Sequence, residues 1–489
     1  MNSKHLILCA FTFFYLYPAN LQAQEIFLEE TGEVLPMNFF QQYRGKTYTA
    51  TTAEGTRIFH FSEKQLLTYR LSNNKEIDQA AVLNMPEDYT FGEFMGALSD
   101  NANYTLYLKS GNSIKGLHFN FENKKFEYKN YGRLWKGQIY LGSIADQKGL
   151  YILTLVRKTK DFVLHSFHPK QEPTATDLII DNMPMFINGK STDKPYFDPD
   201  KEAKKGTYRL GVFNPVPGIQ EDRPTPISSV TANAKMYLED NQLRIVMETG
   251  DLRASSIVVD RSSKTQELFF IDYPAVNDFT STTEDRSNSY YRDGVLYYLI
   301  GNKDNVGIAD LNLTDYSQSF QTHFGQDEEV ADYYLADLDL PSEEKKEGNG
   351  KELKLKRTLR RVFRSNQTGI KVIESNDQRY ISLGGYTMSS GTPMMVGAFP
   401  GGVAGSAGVG LFFGFSTSFE RALSLDLIMD KSSGKQELKE FEEAFEGMDR
   451  FLEDERSKWD FRFIDRDQYL LGYYNRKTKS MQFREFRLR

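Results

Sequence analysis

The sequence contains almost no cysteine. Cys9 is the only one in 489 residues, and it lies within an apolar run near the amino terminus. The composition therefore argues against the small disulfide-stapled class of secreted proteins and against thiolate metal sites. A chain of this length can bury a large core without disulfide bonds. Leu8 precedes Cys9 where a lipid-modified cysteine needs a small residue, so a lipoprotein anchor is not predicted.

The sequence also lacks a surplus of positive charge and is poor in tryptophan. Its 60 lysines and arginines face 67 aspartates and glutamates, which gives a net charge of −7. Nucleic-acid-binding proteins usually carry a basic surplus, so no nucleic-acid partner is expected. Only 2 residues are tryptophan, whereas 28 are tyrosine and 36 are phenylalanine. Tyrosine and phenylalanine at this frequency favour β-strands.

Residues 1–23 have the order of a secretory signal peptide. Lys4 precedes an apolar run that ends near Tyr17, and the small residue Ala23 follows. We predict cleavage after Ala23. The apolar run is too short to cross ~30 Å of hydrocarbon, so no transmembrane span is expected. The mature chain is therefore expected to be exported, to the periplasm, the cell surface or the extracellular space.

Two stretches of the sequence occur twice. Residues 151–164 (YILTLVRKTKDFVL) resemble residues 469–483 (YLLGYYNRKTKSMQF), and residues 256–268 (SIVVDRSSKTQEL) resemble residues 426–438 (DLIMDKSSGKQEL). The first pair consists of an apolar strand, a polar turn and a second strand. Internal repetition of a strand–turn–strand unit indicates a repeat architecture.

Seven two-strand units of this kind can be laid out along residues 24–489. Most follow a strand that ends in an acidic turn and precede a further strand, so each unit has the four antiparallel strands of a propeller blade. We predict an all-β fold, a single seven-bladed β-propeller. The units span residues 46–61, 103–121, 149–167, 242–260, 294–313, 379–430 and 468–486. Aspartates in the acidic turns are expected to bond backbone groups two residues on. These aspartates are Asp100, Asp146, Asp240, Asp293, Asp377 and Asp467.

The last unit ends at the chain terminus, which leaves no room for its fourth strand. Residues 25–30 or 36–40 could fill that edge from the amino terminus and remove an exposed edge strand. Three further segments, at about 181–229, 326–364 and 389–411, are predicted to be insertions in the propeller.

The insertions differ in character. Residues 181–229 hold 7 of the 16 prolines and are interpreted as an inter-blade insertion, with an eighth, irregular blade as the alternative. Residues 326–364 begin acidic and end basic, which is typical of an exposed, charge-segregated segment. Residues 437–454 place apolar side chains at helical spacing, and they predict one amphipathic helix packed between blades six and seven.

The candidate binding surface is an uncharged segment. Residues 380–419 contain no aspartate, glutamate, lysine or arginine. Residues 389–411 are either a long hairpin folded over its own blade or a mobile apolar loop that docks on a partner or on a membrane surface, since sizeable exposed apolar patches mark contact sites. The candidate partner-binding residues are Met394, Met395, Phe399, Leu411 and Phe412.

Other residues give weaker signals for chemistry. His60, His118 and His165 fall at similar places, predicted to be the third strands of their blades, and three imidazoles meeting there could hold a metal. Drift within the repeat is the favoured interpretation, because the three units are adjacent and a central metal would be served better by opposite blades. Ser406 lies in an AGSAG string that lacks the strand and helix of a nucleophile elbow. We predict no catalytic, cofactor-binding or metal-binding residue.

The repeat style and the cysteine-free mature chain resemble the secreted β-propeller repeat proteins of Bacteroidetes-type bacteria. The resemblance covers nearly all of the mature chain and rests on no family-specific motif. It implies a non-catalytic binding or scaffolding propeller at the cell envelope, with a protein or glycan partner. The alternative is a propeller enzyme that acts on glycans or peptides, which would gather aspartate, glutamate or histidine from several blades in a deep axial pocket. A fold alone warrants no activity.

Overall fold

The computed structural model describes an all-β protein of many small sheets. The described residues lie within the ranges 26–30, 46–178, 186–191, 216–325, 362–388, 420–430, 448–451 and 460–486, with short gaps inside them. Within these ranges, no helix has the length and apolarity to cross a membrane.

Three sheets follow one another in the first part of the chain. The amino-terminal strand is β1 (Ile26–Glu30). The first sheet contains β2 (Lys46–Thr52), β3 (Gly55–Phe61), β4 (Gln65–Ser72) and β5 (Ile77–Asn84). The second contains β6 (Glu93–Asp100), β7 (Asn103–Ser110), β8 (Ser113–Asn120) and β9 (Lys125–Gly132). The third contains β10 (Gln138–Ala145), β11 (Leu150–Val156), β12 (Phe162–Phe167) and β13 (Thr174–Leu178). Each sheet is antiparallel, with its strands in chain order.

A small sheet and two larger ones come next. The short strands β14 (Phe186–Ile187) and β15 (Lys190–Ser191) pair with each other. The fourth sheet contains β17 (Ala234–Leu238), β18 (Gln242–Gly250), β19 (Arg253–Asp260) and β20 (Gln266–Asp272), which we count as its first to fourth strands. The short strand β16 (Gly218–Ile219) lies at the edge beside β17 and is not counted, and the helix α1 (Ile227–Val230) precedes β17. The fifth contains β21 (Arg286–Arg292), β22 (Val295–Gly301), β23 (Asn305–Asn312) and β24 (Gln321–Gly325).

The sixth and seventh sheets complete the described chain. The sixth contains β25 (Gln367–Glu374), β26 (Gln378–Met388) and β27 (Glu420–Asp430). The seventh contains β28 (Asp460–Asp465), β29 (Gln468–Asn475) and β30 (Ser480–Phe486), with β1 as its fourth strand. The prediction that residues 25–30 could complete the last unit is confirmed, whereas the alternative at 36–40 lies outside the described residues.

Neighbouring sheets pack on each other through apolar side chains in chain order. Phe59 of the first sheet and Leu106 of the second share one buried cluster, and Leu153 of the third and Ile245 of the fourth share another. Further clusters join the second sheet to the third, the fourth to the fifth and sixth, and the seventh to the first. The first strands of neighbouring sheets also touch, β2 with β6, β6 with β10, β10 with β17, β21 with β25 and β28 with β2.

The repeated stretches occupy equivalent places. Residues 151–164 cover β11 and β12, and residues 469–483 cover β29 and β30, which in both sheets are the second and third strands. Asp260 and Asp430 end the third strands of the fourth and sixth sheets. The unit at 46–61 was placed wrongly, because it forms the first and second strands of its sheet rather than the second and third.

The acidic turns are where the sequence placed them. The described members of the set, Asp100, Asp146, Asp240 and Asp293, lie at the connections between first and second strands. Asp146 accepts hydrogen bonds at Oδ1 from the backbone nitrogens of Lys148 at 2.9 Å and Gly149 at 3.0 Å. This is the predicted Asx-type closure, in which a side-chain oxygen satisfies the turn's backbone donors.

The end of the predicted 181–229 insertion belongs to the core. The Val216 backbone nitrogen donates to the Leu141 carbonyl of β10 at 3.0 Å, and β16 then runs parallel to β17. A side chain at Gly142 would collide with the Val216 carbonyl oxygen, and one at Gly369 of β25 would collide with the backbone after α1. Small residues on two first strands therefore admit a segment that reaches from the third sheet to the sixth. Within the described residues before Val216, the eighth-blade alternative has only β14 and β15.

Two other predicted segments also have buried ends. Val362 and Phe363, at the end of the charged segment 326–364, are buried in the cluster shared by the fourth, fifth and sixth sheets. Met448 and Phe451 are helical, as the prediction for residues 437–454 requires, and they pack on the seventh sheet. Most of the remaining residues of both segments lie outside the described residues.

Candidate functional site

The predicted docking residues cannot be placed from the described chain. Met394, Met395, Phe399, Leu411 and Phe412 lie outside the described residues. The two strands that flank these residues in the sequence are described: β26 and β27 pair in register as far as Met388, which faces Glu420. The uncharged segment therefore joins the second and third strands of the sixth sheet.

The three histidines do not converge. His60 lies on the second strand of its sheet, which corrects the predicted third strand, whereas His118 and His165 lie on third strands. The two nitrogens of His60 contact the Thr47 hydroxyl at 2.8 Å and the Tyr69 hydroxyl at 2.9 Å. Each imidazole is hydrogen-bonded within its own sheet. Burial lowers the pKa of His60 to about 3, so the ring is neutral at physiological pH.

The other two histidines repeat this arrangement in part. His118 contacts the Thr105 hydroxyl at 2.8 Å and the Tyr131 hydroxyl at 3.2 Å, and His165 contacts the Gln138 side chain at 2.9 Å. Burial lowers the pKa of both imidazoles. A threonine thirteen residues before the histidine marks the first two cases, because the two residues are cross-strand partners. These histidines are structural hydrogen-bonding groups.

A polar cluster is buried between the fourth and fifth sheets. Lys235 donates from Nζ to the Asn288 side-chain oxygen and to the Ser289 carbonyl oxygen, both at 2.8 Å. Glu248 accepts from the Ser289 hydroxyl at 2.6 Å and the Tyr273 hydroxyl at 2.8 Å. Burial lowers the pKa of Lys235 to about 8 and raises that of Glu248. Lys235 is 1% exposed, so the cluster joins two sheets rather than facing a ligand.

An ion pair joins the third sheet to the fourth. Arg261, just after β19, donates two hydrogen bonds to the Asp146 carboxylate, at 2.6 and 2.7 Å. Its Nε donates to the Tyr151 hydroxyl at 2.8 Å, and its guanidinium carbon lies 5.0 Å from the Tyr151 ring centroid. Bidentate arginine–carboxylate pairs impose a geometry as well as an attraction. This pair therefore fixes the position of the turns that surround it.

Partly exposed polar side chains surround the Arg261–Asp146 ion pair. Lys264 donates from Nζ to the Arg261 carbonyl oxygen at 2.8 Å and lies 3.4 Å from His168 Nε2. His168 Nδ1 lies 3.1 Å from the Lys148 carbonyl oxygen, so Nδ1 donates there and Nε2 accepts from Lys264. Lys148 itself donates from Nζ to the Asp240 carbonyl oxygen at 2.7 Å. We call this set the Tyr151 cluster: Asp146, Lys148, Tyr151, His168, Arg261 and Lys264.

The Tyr151 cluster presents cationic and imidazole groups to solvent. The side chain of Lys148 is 56% exposed, and His168 and Lys264 are partly exposed. Partial burial and then the nearby charge of Arg261 lower the pKa of Lys264. A hydrogen-bond-accepting or acidic group on a partner would offset both effects. Among the described residues, no group of three or more histidine, cysteine, aspartate or glutamate side chains could hold a metal ion.

The sequence pointed to individual residues of this cluster but not to the contact between Arg261 and Asp146. Asp146 was identified as a turn residue, and Arg261 and Lys264 lie in the repeated stretch 256–268. The Arg261–Asp146 pair joins residues 115 positions apart, and no local pattern reports such a contact. The local signal that the sequence offers is Asp146, followed three residues later by Gly149 and five residues later by Tyr151.

Comparison with known proteins gives distant structural likenesses only. No protein-family profile matches the chain, and no curated protein matches it. The WD40 domain of SCAP from fission yeast is 8% identical, with a TM-score of 0.31, over 94% of this chain and 89% of that one. A prolyl endopeptidase is 10% identical, with a TM-score of 0.30, over 90% of this chain and 56% of that one. The SapL1 lectin, solved with alpha methyl fucoside, is 7% identical, with a TM-score of 0.25, over 72% of this chain and 94% of that one.

Proposed function

We propose that this protein is a non-catalytic binding or scaffolding β-propeller exported to the cell envelope. In this proposal the seven sheets are the blades of a single closed ring over residues 24–489. The packing of the seventh sheet against the first supports a ring. The strand β1 supports it too, because it joins the two ends of the chain within one sheet.

The binding role rests on the Tyr151 cluster. Two sheets contribute to it, and a partly buried ion pair holds their turns in place beside the partly exposed side chains of His168 and Lys264. Binding residues commonly lie on loops that a rigid scaffold positions. The partner would be an envelope protein or glycan that presents acidic or hydrogen-bond-accepting groups.

The uncharged segment 389–411 is a second docking surface in this proposal. Its methionines and phenylalanine can repack against different partners, and its glycines allow the backbone to adapt. It leaves the second–third connection of the sixth sheet, whereas the Tyr151 cluster lies at first–second and third–fourth connections. The two surfaces can therefore be tested independently.

The alternative of a glycan- or peptide-cleaving enzyme has less support. Glycoside hydrolysis needs two carboxyl groups placed on either side of the scissile bond. The carboxylates of Asp146, Glu248, Asp310 and Glu374 accept hydrogen bonds from arginine, serine or tyrosine side chains, within one sheet for Asp310 and between neighbouring sheets for the other three. These contacts are those of carboxylates that hold the structure together.

The test is affinity capture from envelope extracts with matched variants. The double variant Lys148→Ala/Lys264→Ala removes two lysines of the Tyr151 cluster. The triple variant Met394→Ser/Met395→Ser/Phe399→Ser removes the large apolar side chains of the segment 389–411. Arg253→Ala is the control, because it removes a cation elsewhere on the fourth sheet. We expect a specific protein or glycan to be retained by wild type and control and lost with one of the two surface variants. Equal capture by all four proteins, or release of sugar or peptide fragments by the wild type, would contradict the proposal.

Export is tested separately. The leader predicts a mature protein that begins at Gln24 and is found outside the cytoplasm. Cell fractionation followed by amino-terminal sequencing reads out both properties. An intact Met1 on cytoplasmic protein would refute export without bearing on the binding surfaces.

A further inference from the structure

The seventh sheet is built from both ends of the chain. Its strands β28, β29 and β30 come from residues 460–486, and its fourth strand, β1, comes from residues 26–30. The first, second, third and fifth sheets each consist of four consecutive strands. The edge of β30 is thus occupied by a segment that reaches it from elsewhere in the sequence.

The attachment of β1 is short and irregular. It has five residues, and its pairing with β30 shifts register between Ile26 and Leu28. By contrast, β29 and β30 pair without interruption from Tyr469 to Asn475. Leu28 is partly buried against the cluster between the seventh and first sheets. β1 therefore shares fewer paired positions with β30 than β29 does, four against seven.

The connection to β1 is long enough to span two molecules. Residues 31–45, fifteen in number, separate β1 from β2. A chain of that length can extend to about 50 Å. It allows β1 to lie on the edge of its own seventh sheet or on that of a neighbouring molecule.

The edge of β30 and the strand β1 are matched in register. A vacated β30 would present backbone donors and acceptors that pair with an added strand. In the register seen here Leu28 faces Phe483, Glu29 faces Gln482 and Glu30 faces Met481. A copy of β1 from another molecule would make the same backbone pairings and the same Leu28 contact. The chain's own β1 is therefore the sequence that this edge is shown to accept.

We propose that the edge of β30 is an exchangeable strand-docking site whose second occupant is β1 of another copy of this chain. Two copies that exchange β1 form a reciprocal dimer in which every strand pairing is retained. Exchange of an identical element is a low-cost route to a dimer. A tethered segment has an effective concentration on the order of 1 mM, so roughly a tenth of the molecules exchange at a protein concentration of about 0.1 mM.

Engineered cysteines distinguish the two positions of β1. Glu29 and Gln482 are Cα partners in the register of β1 and β30. In a Cys9→Ser background the chain has no other cysteine. The single variants Glu29→Cys and Gln482→Cys are mixed, unfolded in urea, refolded together and oxidised. We expect a disulfide-linked dimer of one copy of each, identified by peptide mapping, whose fraction rises with protein concentration.

Two controls make the result decisive. The double variant Glu29→Cys/Gln482→Cys is expected to link within one molecule at low concentration, which verifies the register. A mixture of Glu29→Cys with Val82→Cys, an exposed residue on the outer strand β5, is expected not to link. If the double variant links internally but the mixed single variants stay monomeric, β1 does not exchange and the proposal is wrong. It is equally wrong if the double variant fails to link, since the register would then be different.

Discussion

The ammonium nitrogen of Lys109 in the second sheet lies 4.7 Å from the ring centroid of Tyr140 in the third. Four further boundaries between neighbouring sheets place an arginine over a tyrosine in the same way. The pairs are Arg57 with Tyr104, Arg261 with Tyr151, Arg244 with Tyr291 and Arg379 with Tyr297. Ladder hydrogen bonds run within each of these sheets, so side-chain contacts such as these help to join one sheet to the next. Each partly desolvated cation–aromatic contact contributes about 0.5–2 kcal/mol.

The Arg261 pair is expected to stabilise the fold more than a surface ion pair does. Replacing Arg261 with Met removes the guanidinium donor of the partly exposed Asp146 carboxylate and of the buried Tyr151 hydroxyl, and leaves Asp146 only its backbone donors. We expect Arg261→Met to lower the free energy of unfolding by about 2–3 kcal/mol, less than the full cost of stranding a buried charge because water reaches Asp146. Urea unfolding at pH 7 measures the change.

Arg253 provides the matched control for this prediction. It lies on β19 of the same sheet and pairs with Asp272, whose side chain is 72% exposed. Exposed pairs contribute little, so Arg253→Met should cost less than about 1 kcal/mol. Equal losses in the two variants would show that the Arg261 pair does not join the sheets as the structure indicates.

The lowered pKa of Lys235 predicts that the free energy of unfolding rises at alkaline pH. Its pKa is about 8 in the folded protein, against 10.5 in the unfolded chain. Between these values the unfolded chain holds a proton that the folded protein has released, so the free energy of unfolding increases with pH. The expected gain from pH 8 to 9.5 is on the order of 2 kcal/mol. Burial raises the pKa of Tyr273, which acts in the opposite direction above pH 10, so the measurement should stop below that value.

The variant that tests this slope is Lys235→Met combined with Glu248→Gln. The glutamine keeps an acceptor for Ser289 and Tyr273 and avoids leaving a buried carboxylate unpaired. The double variant should lose the rise between pH 8 and 9.5. Lys75→Met, which removes a lysine of the first sheet, should keep it. A wild-type curve that is flat across this range would refute the assignment to Lys235.

His60 predicts a loss of stability at acidic pH. Its pKa falls from 6.5 in the unfolded chain to about 3 in the folded protein, because burial disfavours the charged ring. The unfolded chain therefore takes up a proton first as pH falls below 6.5, and the free energy of unfolding decreases by about 2 kcal/mol by pH 5. His60→Gln should remove about that much of the decrease, and His118 and His165, whose pKa values burial also lowers, should retain the rest. His323→Gln, on the outer strand β24, is the comparison variant. Urea titrations from pH 7 to pH 5 would contradict the prediction if both variants behaved alike.

The features that the sequence predicted are those set by neighbouring residues. Aspartate at the first–second turns, the strand pairs around 151–164 and 469–483, and the amino-terminal strand at 26–30 all follow from local alternation and turn chemistry. Each has a pattern that needs no distant partner to be read. The all-β fold could be predicted for the same reason.

The features that the sequence did not predict depend on how neighbouring sheets pack against each other. Any two adjacent antiparallel strands look alike locally, so the unit at 46–61 was assigned to the wrong pair of strands. The proline-rich stretch near Val216 was interpreted as an insertion, but the neighbouring backbone at Gly142 and Gly369 admits it into the core. The Tyr151 cluster was not predicted for a related reason, since Arg261 and Asp146 come into contact only when the third and fourth sheets pack.

The charged segment 326–364 yields a final prediction, because its two ends differ. Removing residues 327–359 and bridging the ends with a short Gly-Ser linker should lower the free energy of unfolding by less than about 1 kcal/mol, since loop length affects stability slowly. Extending the deletion through Phe363 removes Val362 and Phe363, which are buried against the fifth and sixth sheets, and Phe363 lies against Gly301. That longer deletion should cost about 3–5 kcal/mol or more, as loss of a buried phenylalanine does. Phe363→Ala in the full chain is the matched control and should reproduce most of the longer deletion's effect in urea unfolding. If the two deletions were equally destabilising, the charged stretch itself would have to be part of the folded core.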